Sequence, residues 1–184
     1  MHSIHDPHVP FALPLNEPPI PGSVIEVHGK HHHHDTFVVE LLAGPHIPLH
    51  LSFRFHHEHD LVLNAAAHGQ WGCEQRVHNP IPKHDHHFTI RIKVHDSHYD
   101  VEVDGHHIAT FNHRFPYASV QAIGCHGDVH IKHIHFQGFH FHNAWNHQGH
   151  DFGHGGYIGY GTSAYQPPVV PQAHPINQHY DPYR

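Results

Sequence analysis

The chain has 184 residues, enough for one domain with a real core and too few for two comfortable ones. Its formal charge is −7, with 9 Lys and Arg against 16 Asp and Glu, so it has no phosphate-binding footprint and nucleic acid is not an expected partner. Charged residues make up only 14%, and histidine, with 34 copies, supplies the missing polar surface.

The opening stretch, MHSIHDPHVPFALPLNEPPIPG, has neither a basic start nor an unbroken apolar run. It reads as neither a signal peptide nor a membrane span, and no membrane insertion is expected. Residues 1–8 are expected to be flexible. Pro7, Pro10, Pro14, Pro18, Pro19 and Pro21 limit residues 1–22 to extended edge segments. Two cysteines, Cys73 and Cys125, lack CxxC spacing and read as free thiols in a reducing compartment. With no N-x-S/T acceptor, the chain is expected to be made in the cytosol. Any extracellular work would need an export route independent of a signal peptide.

Strand signals then recur at short intervals. Val24–His28 is one and Thr36–Leu42 another, with Phe37, Val39 and Leu41 on one face. Around His50 the alternation is clean: Leu49, Leu51, Phe53 and Phe55 on one side, His50, Ser52 and Arg54 on the other. Leu61–Asn64 follows. Phe88, Ile90, Ile92 and Val94 alternate with Thr89, Arg91 and Lys93, and Tyr99–Val103 runs into Asp104-Gly105, a favoured pair for a tight hairpin returning through Ile108–Phe111. Ser119–Gly124 and Val129–Phe136 complete the set. About ten short strands and no sustained helical period predict an all-β, two-sheet antiparallel sandwich or jelly roll.

From residue 142 the composition turns to Gly, His, Tyr, Gln and Pro with almost no aliphatics. This segment, 142–184, is expected to be a disordered, flexible tail. Its spaced aromatics (Trp145, Phe152, Tyr157, Tyr160, Tyr165, Tyr180, Tyr183) suit either self-association or an inert solubilising role. Its removal is expected to leave monovalent ligand binding unchanged.

The polar face of the His50 strand, with Asn64, Trp71, Glu74 and Arg76 close behind, combines donors, acceptors and one large flat ring. Such a set suits a polyhydroxylated ligand with one apolar face, a sugar. HLSFR, then VLN, then WGCEQR resemble in order and spacing the galectin (S-type lectin) signature H-x-N-x-R, V-x-N, W-x-x-E-x-R. VPFALPL resembles the opening strand of galectin domains, and Phe111–Arg114 (FNHR) a recurring segment after the hairpin. The resemblance covers residues 9–141.

It implies a carbohydrate-recognition domain that binds β-galactosides without a cofactor, metal or catalysis. His50 and Arg54 would contact the axial 4-hydroxyl and ring oxygen, and Asn64 the 6-hydroxyl. Trp71 would stack on the apolar sugar face, and Glu74 would accept from hydroxyls and orient both Arg54 and Arg76. Six of the seven positions match. Ser52 stands where the family has Asn, which predicts weaker affinity or altered preference rather than loss. The segment Phe55–Asp60 (FHHEHD) looks short for the family. One copy of the signature means that crosslinking of glycans needs a homodimer or tail-mediated association.

Other readings compete. The row Asp100, Glu102 and Asp104 superficially resembles the acids of a jelly-roll glycosidase, but it runs into a turn far from Trp71. Clustered histidines (His31–His34, His133 with His135) could chelate metals weakly, but no closed ligand set is evident and a dedicated metal site is not expected. Protonating most histidines would carry the net charge from −7 to strongly positive by pH 5, so sugar binding is expected to weaken in that window. A His-rich metal-binding or pH-responsive protein on a lectin scaffold that has lost sugar binding is the alternative to a working lectin.

Overall fold

The computed structural model of the chain describes residues 2–15, 17–31, 35–139, 157 and 159–166. It is an all-β, two-sheet antiparallel sandwich, as the alternation predicts. In chain order the strands are β1 (His2–His5), β2 (Phe11–Pro14), β3 (Val24–His31), β4 (Phe37–Ala43), β5 (His46–Phe53), β6 (Asp60–Ala67) and β7 (Gln70–Trp71). There follow β8 (Gln75–His78), β9 (His86–Val94), β10 (His98–Val103), β11 (His106–Asn112), β12 (Ala122–Gly127) and β13 (His130–Gln137), with one 3-10 turn at Tyr117–Ser119. No helix among the described residues is long and apolar enough to cross a membrane.

One sheet runs β1-β13-β3-β9-β10-β11, the other β2-β12-β4-β5-β6-β7 with β8 also pairing β6. The inner faces meet in one core, where Phe37 stacks between Phe53 (4.9 Å) and Phe88 (5.1 Å). Val39, Leu41, Leu49, Leu51 and Leu63 fill the layer beside them, all fully buried. The predicted turn is present: Asp104 and Gly105 both take positive φ, as a two-residue hairpin needs. Both cysteines are free thiols, Cys73 exposed and Cys125 buried.

Two stretches join the sandwich beyond the predicted strands. Residues 2–5, expected to be flexible, pair with β13 from His2 opposite Phe136 to His5 opposite His133. Of the tail, residues 142–156, 158 and 167–184 lie outside the described residues. Tyr157 and residues 159–166 form a strap on the outer face of the second sheet. Tyr160 packs there on Ala12, Leu42, Ile47, Ala66 and Ala122. Gly161 N–H donates to Gly44 O (2.9 Å), and the Tyr160 and Tyr165 rings lie 4.9 Å apart. Tyr157 lies so flat on Gly124 that a Cβ there would meet its hydroxyl at 2.6 Å. β4 is buried along its whole length rather than alternately, and at its outward Leu42 the cover is the strap.

Several histidines serve as packing residues. His31 is fully buried, stacked 4.4 Å from Phe55, with Nε2 bonded to Pro82 O at 2.7 Å. Burial holds the imidazoles of His46, His113 and His126 below their ordinary value of 6.5, reinforced at each by a neighbouring imidazole. A depressed imidazole is protonated less readily in the folded than in the unfolded chain. These groups' contribution is therefore complete above about pH 6.5 and is lost as pH falls towards their folded values. The carboxylates of Glu58 and Asp100, held low, titrate only below that window. The melting temperature should fall steadily from pH 7.5 to 5 in a calorimetric scan; a flat or rising profile would contradict this account.

Candidate functional site

The outer face of β5 carries the predicted polar residues, because its inward Leu49, Leu51 and Phe53 are held in the core. Antiparallel register sets what stands beside each. His50 lies opposite Glu40 on β4 and Asn64 on β6, while Ser52 lies between Val38 and Val62. His68 and Gly69, both at positive φ, turn β6 back into β7 and set Trp71 against Ala66. All seven predicted positions, His50, Ser52, Arg54, Asn64, Trp71, Glu74 and Arg76, thus fall on β5 to β8 or their connections, in one sheet.

Trp71 is 51% exposed, the sole large apolar residue so exposed among the described residues. Its ring centroid is 4.5 Å from that of His50. An indole left exposed beside hydrogen-bonding groups offers a flat apolar face to a ligand, which a core residue does not. His50 Nδ1 is engaged by the buried carboxylate of Glu40, which fixes the ring plane.

The cationic side of the site differs from the expectation in one respect. Glu74 receives only Arg76, at 3.0 Å from Nε and 2.9 Å from Nη2. The carboxylate between the two arginines is Glu58, which accepts from Arg54 and Arg76 at 2.6 Å each. Glu58 reaches them because the connection from β5 to β6 is short and tied down: Asn79 donates to Arg54 O (3.0 Å) and Arg54 N–H to Asp60 O (2.9 Å). Hydrogen bonds from Arg54 and then Arg76 hold the Glu58 carboxyl below its ordinary value. Glu74 and Glu58 together push the Arg76 guanidinium further up. Two guanidinium forks are thereby held side by side with donors left over for a ligand.

Asn64 and Ser52 are more enclosed. Asn64 donates to Gly72 O (2.9 Å), and its Oδ1 accepts from Ala65 N–H and Arg114 Nη1 (2.8 Å each). Gly72 permits this: a Cβ there would meet Arg114 Nη1 at 2.9 Å. Ser52, 4% exposed, accepts a long 3.3 Å bond from Arg54 Nε.

Sequence reasoning missed Glu40, Glu58 and Arg114 as parts of the site. Glu40 was visible as a lone acid in the apolar run FVVELLA. Arg114 ends the FNHR segment, and it also bonds Cys73 O (2.7 Å), bracing the turn after Trp71.

From Trp71 and His50 the surface continues into a cavity of about 590 Å³, walled by Glu40, Ile47 and Ala66 on the sheet and by Tyr157 and Tyr160 of the strap. The acidic row lies elsewhere. Asp100 and Glu102 are on the other sheet, engaged by Thr110 (3.0 Å) and Lys93 (2.7 Å), and Asp104 accepts from Thr89 N–H (2.9 Å). That row therefore lies on the other sheet from the one that carries Trp71.

The galactoside-binding lectin family model matches residues 10–136. The probable galaptin lec-8 of Caenorhabditis elegans is 50% identical over 182 residues, 98% of this chain and 100% of its own. A 32 kDa beta-galactoside-binding lectin of the same species is 35% identical over 137 residues, 71% of this chain and 48% of its own. The crystal structure of Caenorhabditis elegans galectin LEC-6 superposes with a TM-score of 0.69 at 25% identity, covering 73% of this chain and 95% of that one.

Proposed function

The chain belongs to the galactoside-binding lectin family, and we propose that it binds β-galactosides across His50, Arg54, Asn64, Trp71, Glu74 and Arg76, with affinity lowered at Ser52. The protein is a carbohydrate-binding lectin, not an enzyme. The observation that carries the galactoside reading is the half-exposed Trp71 ring beside His50, next to two guanidinium groups held by one carboxylate. The indole offers a flat apolar surface to the C–H face of the sugar. His50, Arg54 and Arg76 present directional hydrogen-bonding groups at its edge. An epimer that misplaces one hydroxyl leaves these groups unpaired.

Ser52 is where preference departs from the family pattern. A serine hydroxyl sits close to the sheet and holds Arg54 Nε at 3.3 Å, whereas an asparagine amide would extend toward the ligand. Losing one neutral hydrogen bond costs roughly 1 kcal/mol, about fivefold in affinity. The rival reading, a scaffold that has lost sugar binding, requires a broken platform; the exposed indole and ordered arginines favour the working site.

Calorimetric titration with lactose and with maltose tests both levels. Lactose should bind and maltose, with its equatorial 4-hydroxyl, should not, and Ser52→Asn should tighten lactose about fivefold. Absence of lactose binding would remove the galactoside reading. Unchanged affinity in Ser52→Asn would remove only the account of the weakening.

A further inference from the structure

On the other sheet, across the core from Trp71, three strands bring histidines together. His5 on β1 stands opposite His133 on β13, which stands opposite His28 on β3. The next row along the same face is Ser3, His135 and Glu26. An irregularity between Ile131 and His133 sets this register: Ile131 pairs Gly29 and His133 pairs His28, so Lys132 is the extra residue. Without that bulge a lysine would face His28.

His28, His133 and His135 each place a ring nitrogen within 4.8 Å of the others. Their ring centroids are 4.2, 4.5 and 5.3 Å apart. All three are half-buried, so a bound ion would be partly shielded from water.

Two of the three rings have a further polar contact. The Glu26 carboxylate meets Nε2 of His28, and Ser3 Oγ lies 2.5 Å from Nδ1 of His135, leaving its Nε2 for a ligand role. Carboxylate and hydroxyl partners of this kind orient metal-ligating imidazoles. Arg91, the nearest guanidinium on β9, is engaged by Glu26 (3.1 Å) and Glu102 (3.3 Å), which offsets its charge beside the cluster.

We propose that His28, His133 and His135 form a binding site for a borderline divalent transition ion such as zinc, with His5 as the ligand able to complete it. An all-imidazole donor set suits zinc, nickel and copper and disfavours calcium and magnesium. A tetrahedral ion with bonds of about 2.0–2.1 Å needs ligand separations of about 3.4 Å, so ring nitrogens that lie within 4.8 Å of one another must close by up to about 1.4 Å. The ion would also displace the Thr89 hydroxyl, 3.1 Å from Nδ1 of His28, if it takes that nitrogen. Bound there, the ion would pin the four-residue β1 to β13 and β3.

The second three-ligand group, His95, His98 and Asp100, is the comparison site. Its aspartate already accepts from Thr110 at 3.0 Å and meets His107 at 3.3 Å, so it is less free to take an ion.

The test titrates zinc chloride into the full chain by calorimetry at pH 7.5. Wild type is compared with a His28→Gln, His133→Gln, His135→Gln triple variant and a His95→Gln, His98→Gln double variant. The tightest zinc event should persist in the double variant and be at least about tenfold weaker in the triple variant. The zinc-dependent rise in melting temperature should vanish with it. Cobalt(II) loading should give intense tetrahedral d–d bands in wild type and the double variant, and weak bands in the triple variant. Melting in EDTA checks folding; if the triple variant melts early, His133→Gln alone should show the same loss. Retention of the tight zinc event and the cobalt bands in folded variants lacking these rings would overturn the proposal and place the ion on other histidines.

Discussion

Glu58→Gln should weaken lactose binding by roughly ten- to a hundredfold while leaving the melting temperature almost unchanged. Glu58 is the one carboxylate bonded to both Arg54 and Arg76, at 2.6 Å each. Glutamine keeps the length of the side chain but removes the charge that holds two like-charged guanidinium groups together. Arg76 retains Glu74 and Asp60, whereas Arg54 has besides the 3.3 Å bond to Ser52 only the glutamine's single carbonyl oxygen, a neutral acceptor that cannot hold both forks. The Arg54 fork then swings into water and must be reordered each time a sugar binds. Folding is little affected because exposed ion pairs contribute little to stability. The depressed carboxyl of Glu58 has a further consequence. Held below its ordinary value, it stays ionised between pH 7 and 5, so the pair of arginines remains organised in that window. Calorimetric affinities within twofold of wild type for Glu58→Gln would show that the arginines do not depend on it.

Tyr160→Ser should undock the strap, lowering stability by about 1.5–3 kcal/mol if the ring's burial is fully lost. Tyr160 is 8% exposed, and it joins the strap to Ala12, Leu42, Ile47, Ala66 and Ala122. The sandwich core does not include this ring, so the loss is capped at the free energy of docking, and the sheets stay folded. Phenol ionisation gives a sharper readout. Burial raises the Tyr99, Tyr157, Tyr160 and Tyr165 phenols, at Tyr157 with help from the neighbouring Glu40 carboxylate. In Tyr160→Ser an alkaline absorbance titration should return Tyr157 and Tyr165 towards pH 10 while Tyr99, inside the core, stays high. Persistence of all three raised phenols would mean that the strap docks without Tyr160.

Much of this was legible in the sequence, and the reason is local. A strand with one buried face writes its register every second residue, so His50, Ser52 and Arg54 are assigned outward as soon as Leu49, Leu51 and Phe53 are assigned inward. The galactoside signature is legible for the same reason, since its spacing is the spacing of neighbouring strands. Partner choice across strands was not legible. Nothing local to Glu58 says that it, rather than Glu74, lies between Arg54 and Arg76; that follows from how a short connection is anchored by Asn79. The strap was missed because a count of aliphatics undervalues tyrosine, which buries a large ring while keeping a polar end. The outer face of β4 carried the missing hint: Val38 and Leu42, on either side of Glu40, are too apolar for a face left to water.

The strap also has a place in time. Its bond from Gly161 to Gly44 and its seat on five side chains from β2, β4, β5, β6 and β12 exist only after those strands have assembled. With its partners so distant in sequence, the strap gains nothing before then and is expected to dock last. By the same logic it leaves first, as a unit that opens without global unfolding. Amide exchange should therefore be faster at Gly161 than in the β4 ladder, and the cavity beside Trp71 would lose and regain one wall many times within the life of a single folded molecule.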